Sequence, residues 1–395
     1  MDREKRIVLL LLLRRQMKKK EQNKRKYWIN PYLSIMNHNG EHFKRKYEAL
    51  KMCGDDKFYQ FFRMSPSTFE ELLAKLAPRL QKQHVFRKPV EPLEMLGLTL
   101  RFLATGNSFR DMEFTDYRGK STIVKIVGEV CRALWEILLS ESIPKITKEL
   151  IEQIAEDFDT NTNFPNCMGA LDGKHIRIRK PAHSGSLFFN YKSYNSIVLL
   201  ALVDSKYRFV YVDVGSYGKE CDSTIFHNSK LNELLLQNRL PIPAPKPLPG
   251  LQNSVPYVFI GDEGLPLLNN LIRPYPGKHL SVEQRVFNYR LSRARRYVEC
   301  AFGIFANKWR IFHRPLNVQY NFATDIIKAC CVLHNFVICR DGIRKSEELY
   351  IDDCLINMQQ TTADDFVTNP VTIRDEFCKY FNSDAGALSW QLSKI

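Results

Sequence analysis

The sequence lacks the marks of several protein classes. Ten cysteines are present, but no Cys-x-x-Cys occurs, which excludes a dithiol redox motif and a paired-cysteine zinc ribbon. They lie scattered in apolar context, as suits a reducing compartment where cysteine acts as a small hydrophobe. Cys331-Val-Leu-His334 has half of a zinc-ligand spacing, but no second pair follows, and core residues on a helix explain the same letters. The dense apolar run Ile7 to Leu13 is too short to span a bilayer and is bracketed by Arg6 and Arg14-Arg15. Lys18-Lys19-Lys20 follows it without a small-residue cleavage site, so a secretory signal is not expected. A phosphate loop ending at Gly119-Lys120-Ser121 would need its first glycine at Phe114, and that reading fails. Acid is also in the minority: 43 Asp and Glu face 58 Lys and Arg, a net charge of +15. Such a balance favours a polyanionic partner, because Lys and Arg release counterions when they meet phosphates. The expectation is a protein of cytosol or nucleus, with Lys18-Lys19-Lys20 and Lys24-Arg25-Lys26 as a targeting or phosphate-binding arm and no membrane partner.

At 395 residues and 44% hydrophobic composition the chain can bury a sizeable core in two or three domains. Residues 1–40 form a basic arm. Residues 41–150 read as helical. Ser65-Pro66-Ser67 starts one helix, with Ser67 and Glu70 in capping-box spacing. A second runs from Pro92 to Gly106, a short turn of helix spans Asn107 to Met112, and a third begins near Ser121. Short helix, glycine turn and longer helix are compatible with a helix-turn-helix DNA reader.

From about Phe164 the periodicity changes to strands. The strand around Asp172, the apolar run Ile197 to Val203 and Tyr207 to Val214 read as an antiparallel meander. A helix from Asp222 to about Gln237 follows, then a Pro-rich loop expected to be irregular, a strand at Tyr257 to Ile260, and a short segment at Pro266 to Ile272. Helices at Ser281 to Phe312 and Phe322 to Arg340 close residues 160–340, and 341–395 read as an acidic, irregular tail. The class is α/β: a ribonuclease H-like mixed sheet with flanking helices, preceded by a small all-helical domain.

Three acids stand out. Asp172 lies mid-strand in Asn166-Cys-Met-Gly-Ala-Leu-Asp172-Gly-Lys-His-Ile-Arg-Ile-Arg179, Asp262 ends the strand of Val258-Phe-Ile-Gly-Asp262-Glu-Gly264, and Glu299 lies on an Arg-rich helix. Carboxylates from separate rigid elements are what two divalent cations roughly 3.5 to 4 Å apart require. The bland reading of Glu299 is a surface pair with Arg295 one turn earlier; the sharper one turns it toward the strand acids while Arg285, Arg290, Arg293, Arg295 and Arg296 line a phosphate path. Asp222, at the start of a helix, reads as an N-cap. Asp204 and Asp213 read as turn and strand-edge residues, and Lys174 and His175 as exposed strand residues or phosphate contacts.

These residues resemble the PIF/Harbinger transposases and the nucleases derived from them. The resemblance lies in Gly169-Ala-Leu-Asp172-Gly-Lys-His175, in Val214-Gly-Ser-Tyr-Gly218 with Asp222-Ser-Thr-Ile-Phe-His-Asn-Ser229, and in Gly261-Asp262-Glu-Gly-Leu-Pro-Leu267. It is strongest in Phe287-Asn-Tyr-Arg-Leu-Ser-Arg-Ala-Arg-Arg-Tyr-Val-Glu299-Cys-Ala-Phe-Gly303, followed by Leu333-His334-Asn335. Glu263 and Leu265 stand where the family often has Ser and Tyr, and Cys300 where Asn is common. The resemblance implies a DDE-type endonuclease whose triad Asp172, Asp262 and Glu299 binds a divalent metal cation, Mg²⁺ or Mn²⁺. It also implies a nuclear, DNA-binding protein that relies on a separate Myb-like partner for terminal-repeat recognition; a homo-oligomer is compatible with it. The expected function is transposase-type phosphodiester hydrolysis, with strand transfer in a full transposase. The alternative is a domesticated, non-catalytic nuclear DNA-binding adaptor.

Overall fold

The computed structural model describes residues 10–15, 27, 30–36, 41–82, 89–344 and 368–395. The two basic clusters of the arm, and Asp352-Asp353 and Asp364-Asp365 of the expected tail, lie outside these residues.

Helices come first: α1 (Pro31–Met36), α2 (His42–Met52), α3 (Asp55–Phe62), α4 (Pro66–Leu80), α5 (Pro92–Thr105), α6 (Phe109–Thr115), α7 (Lys120–Ser142) and α8 (Lys148–Thr162). The cap of α4 is Ser65, not Ser67: its side chain accepts from the Thr68 amide, and Pro66 takes the first helical position, where a missing N–H costs nothing. Ser108 and Asp111 close a reciprocal capping box on α6. The α6–turn–α7 arrangement is present, but Ile123, Val127, Val130, Leu134 and Leu138 of α7 are fully buried, and α7 packs along a later helix. Its first turns expose Lys120, Ser121, Thr122 and Lys125, and its later turns expose Arg132, Glu136, Ser140 and Glu141.

The sheet has the order β3-β2-β1-β6-β7, built from β1 (Cys167–Arg177), β2 (Ser196–Val203), β3 (Phe209–Tyr217), β6 (Val258–Ile260) and β7 (Leu271–Ile272). The first three strands form the expected antiparallel meander, whereas β6 joins β1, and β7 joins β6, in parallel. This is the ribonuclease H-like arrangement. Every residue of β2 is buried, because helices enclose the centre of the sheet and an unbroken Ile-Val-Leu-Leu-Ala-Leu-Val run is what such a strand needs. A register shift between Cys167 and Gly169 bulges β1, and Gly169 takes it at φ +140, which a side chain would strain. Between β3 and β6 the expected single helix is two, α9 (Asp222–His227) and α10 (Lys230–Leu236), the second restarted by a Ser229 cap. The Pro-rich loop is not wholly irregular: β4 (Lys246–Pro247) and β5 (Ser254–Val255) pair as a two-residue ladder.

Two long helices bind the layers together. α11 (Val282–Lys308), capped by a Ser281 and Gln284 box, lies on β1, β2 and β6. α12 (Tyr320–Asp341) packs against both α7 and β3. Asn335 sets that junction: its amide donates to the Ser142 and Phe209 carbonyls at 2.7 Å each and accepts the Phe209 amide at 2.9 Å. His334 Nε2 donates to the Tyr207 carbonyl at 2.8 Å, and burial holds its imidazole down to about 3. Cys331 and His334 are core residues, and among the described residues they join no metal-holding group. The helical region and the sheet therefore share one hydrophobic core. The tail expectation fails over 368–395. Here α13 (Thr368–Phe381) lies against α11, burying Phe377, Tyr380 and Phe381, because its aromatic residues recur at helical spacing and the Arg290 guanidinium sits 4.4 Å over the Phe381 ring.

Candidate active site

Register brings the first two acids together. Parallel pairing places Ala170 opposite Ile260 and stops there. Two residues further along each strand stand Asp172 and Asp262, side by side, where β6 has ended and the burial of β1 loosens. The third carboxylate is one that sequence reasoning set aside. Asp222 opens α9, but the cap position is Cys221, and the Asp222 side chain turns back to the strand instead of capping. One carboxylate oxygen from each of Asp172, Asp222 and Asp262 lies within 4.8 Å of the others. Gly173 makes this possible: a Cβ there would stand 2.3 Å from Asp222 Oδ1. The N-cap expectation is thus corrected, and the reason is plain, since an acid in the first turn suits a helix dipole whether or not it has another task.

Glu299 faces the same place from α11 but stands outside that group of three. Arg295, one turn earlier, holds it at 2.6 Å and reaches Asp172 Oδ2 at 3.6 Å. Glu299 is therefore paired with Arg295, as the bland reading has it, and the same guanidinium reaches the first acid. Asp172 Oδ1 accepts the Gly173 amide at 2.9 Å, and Asp262 Oδ1 is buried with no hydrogen-bond partner.

The electrostatics follow. Burial, then the charges of Asp172 and Asp262, pushes the Asp222 carboxyl up to about 7. Burial and Asp172 raise Asp262. Burial also raises Glu299, with Arg295 pulling the other way. Four acids thus converge on one guanidinium. An orphaned carboxylate oxygen and closely set hard oxygen donors with too little positive charge fit a divalent cation such as Mg²⁺, which favours carboxylate oxygen.

The other basic residues of α11 divide unexpectedly. Arg290 is buried and donates to the carbonyls of Gly386 and Asn163, and Arg293 donates to the Thr162 carbonyl and Asn163 Oδ1. These two hold the fold and do not line a phosphate path; Arg285 is exposed and Arg296 partly so. Lys174 lies over the Phe302 ring at 5.4 Å, and His175 Nδ1 meets Ser196 Oγ at 2.9 Å, with burial and Lys192 lowering the imidazole to about 4. Asp204 is the expected turn residue, accepting the amides of Lys206 and Arg208.

A family model described as DDE superfamily endonuclease matches residues 171–335, a span that holds all four acids and ends on Asn335. Among similar proteins are ALP1-like of Arabidopsis thaliana, 27% identical over 85% of this chain and 80% of its own, and Antagonist of like heterochromatin protein 1 of the same plant, 27% identical over 75% and 76%. HARBI1 of Xenopus laevis is 19% identical over 64% of this chain and 70% of its own. The likeness to Harbinger transposase-derived proteins is borne out. No solved structure matches the chain. In the matched span Asp172 lies on β1, Asp262 lies two residues past the end of the neighbouring parallel strand β6, and Glu299 approaches from α11.

Proposed function

We propose that the chain is a divalent-cation-dependent DNA endonuclease that cuts phosphodiesters at Asp172, Asp262 and Glu299, with Asp222 as a fourth acid. The observation that carries this reading is the convergence of carboxylates from β1, the end of β6 and the start of α9 within 4.8 Å. Cations bound there would lower the pKa of an attacking water and stabilise the departing 3′ oxygen. The chain's own part is positional. The register of β1 and β6 sets Asp172 beside Asp262, Asp222 reaches them over Gly173, and Glu299 is held beside them through Arg295. Lys174 extends the positive surface on the same strand as Asp172. The net charge of +15 supports DNA as substrate, and nuclear residence follows from the basic clusters of residues 18–26. A Myb-like partner for sequence recognition is carried over from the Harbinger resemblance.

A second reading, a chromatin-associated adaptor without cutting activity, is favoured by the name of one relative, Antagonist of like heterochromatin protein 1. Supercoiled plasmid with Mg²⁺ or Mn²⁺ separates the two. Nicking that disappears with EDTA and in Asp172→Asn supports the endonuclease; an intact plasmid alongside retained DNA binding supports the adaptor.

A further inference from the structure

A cavity of about 360 Å³ opens between the helical layer and the segment that follows α11. Ile311, Leu316 and Ile326 give it an apolar floor, beside the rings of Phe102 and Phe109 stacked at 4.5 Å. Its rim carries Arg110, Lys120 and Arg314, and no aspartate or glutamate lines it. Arg110 is tied to Glu113 at 2.8 Å. Lys120 and Arg314 are exposed and, among the described residues, have no acid partner. Lys120 is also the first residue of α7, where the helix dipole disfavours a cation unless an anion sits beside it.

The cleft is aligned with the acids. Past its last residue β1 continues to Ile178, which bridges Leu316 of the floor, and Arg179 donates to Asn317 Oδ1 at 3.2 Å on the cleft wall. Asp172 precedes Ile178 by about 20 Å of strand at the usual rise, the length of about six nucleotides at 3.4 Å each. Lys174, on the strand between them, and Arg310 both lie close enough to His313 to add to the burial that lowers its imidazole. One DNA molecule can therefore reach both places.

A duplex phosphate needs cations but no apolar floor, whereas a nucleobase needs the floor as well. The volume also lies in the range of roughly 300 to 1,000 Å³ that small-molecule groups occupy. We infer that this cleft receives one unpaired nucleotide of the DNA strand engaged by the acids, its base against Ile311 and Leu316 and its flanking phosphates on Lys120 and Arg314. The inference rests on the reading of the substrate as DNA.

The test uses the full chain without metal, so that binding is read apart from cutting. Two labelled DNAs of equal phosphate count are compared by fluorescence anisotropy, one a blunt duplex and one bearing a three-nucleotide single-stranded overhang. The expected result is about tenfold tighter binding of the overhang DNA, the scale of one docked base. Val318→Trp fills the cavity and keeps every charge; it should erase that preference and leave blunt-duplex binding unchanged. Lys120→Ala with Arg314→Ala, both exposed, should lower the salt slope for the overhang DNA by about 1.4, two single-strand phosphates at about 0.7 each. Equal affinity of the wild type for both DNAs overturns the proposal. So does equal weakening of both DNAs by the double variant, which would mark a duplex-backbone contact. Should Val318→Trp fail to fold, the double variant still decides the matter. A plasmid left uncut while the overhang preference persists would sink the endonuclease reading alone.

Discussion

Two regions of the molecule bury acids, and they treat them in opposite ways. In the helical layer Glu94 is nearly buried and receives both arms of Arg118, at 2.5 and 2.8 Å, while Asp116 is held by Lys46 at 2.8 Å. Each has a cation of its own. At the sheet, Asp172, Asp222, Asp262 and Glu299 share Arg295, and Asp262 Oδ1 has no partner at all. A buried charge without a partner costs several kcal/mol, so folds pair their structural acids. The unpaired cluster is where stability has been given up for a ligand not made of protein.

This contrast can be broken at several points. The largest effect is expected at the sheet: Asp172→Asn or Asp262→Asn should lower metal-dependent plasmid cleavage by more than about 100-fold, beyond the usual cost of losing even a supporting group, with an unchanged circular dichroism spectrum. Cutting at wild-type rate by either would remove that acid from the site. In the helical layer the same kind of change should act on stability instead. Arg118→Ala leaves Glu94 buried and unpaired, and should cost about 3 kcal/mol in urea unfolding with cleavage per folded molecule intact.

Asp222→Asn should do the reverse of Arg118→Ala. Because the folded-state pKa of Asp222 is about 7, above the ordinary carboxylate range, its contribution to stability is present at low pH and lost as pH rises through about 7. Metal-free Asp222→Asn should therefore be more stable than the wild type at pH 8, by on the order of 1 to 2 kcal/mol, and the gap should close near pH 4. Millimolar Mg²⁺ should stabilise the wild type more at pH 8 than at pH 5, since protons and cation compete for the same oxygens. A gap that does not change with pH would mean Asp222 has no acid neighbours in solution. The smallest effect is expected from Glu299→Gln on metal affinity, about tenfold, since Glu299 stands outside the group of three; calorimetry with Mn²⁺ reads it, and a loss as large as that of Asp172→Asn would place Glu299 inside it.

Much of the fold was legible in the sequence because local signals were strong. The run Ile197 to Val203 has no polar break and became the buried centre of the sheet, and Ser281 marked the start of α11 within a residue. Asp172 and Asp262 could be singled out because each follows an apolar run and has a glycine within two residues, though the parallel pairing that sets them side by side is a tertiary fact. Other parts were not legible. α8 escaped notice although Thr147 caps it and Ile151, Ile154 and Phe158 recur on its buried face. The tail helix α13 was masked by the acidic composition around it, and only packing on α11 reveals that its aromatic face has a partner. Arg290 and Arg293 look like phosphate ligands by composition, yet their partners are carbonyls 96 and 131 residues away. Asp222 shows the same limit: a capping residue and a site residue carry the same letter, and the approach over Gly173 that separates them is a tertiary fact.

The most direct test is a crystal soaked in Mn²⁺ and measured at the manganese absorption edge. The account predicts anomalous density between β1, the end of β6 and the start of α9, coordinated by oxygens of Asp172, Asp222 and Asp262. Manganese bound elsewhere, or a salt bridge between Arg295 and the acids undisturbed by saturating metal, would contradict it.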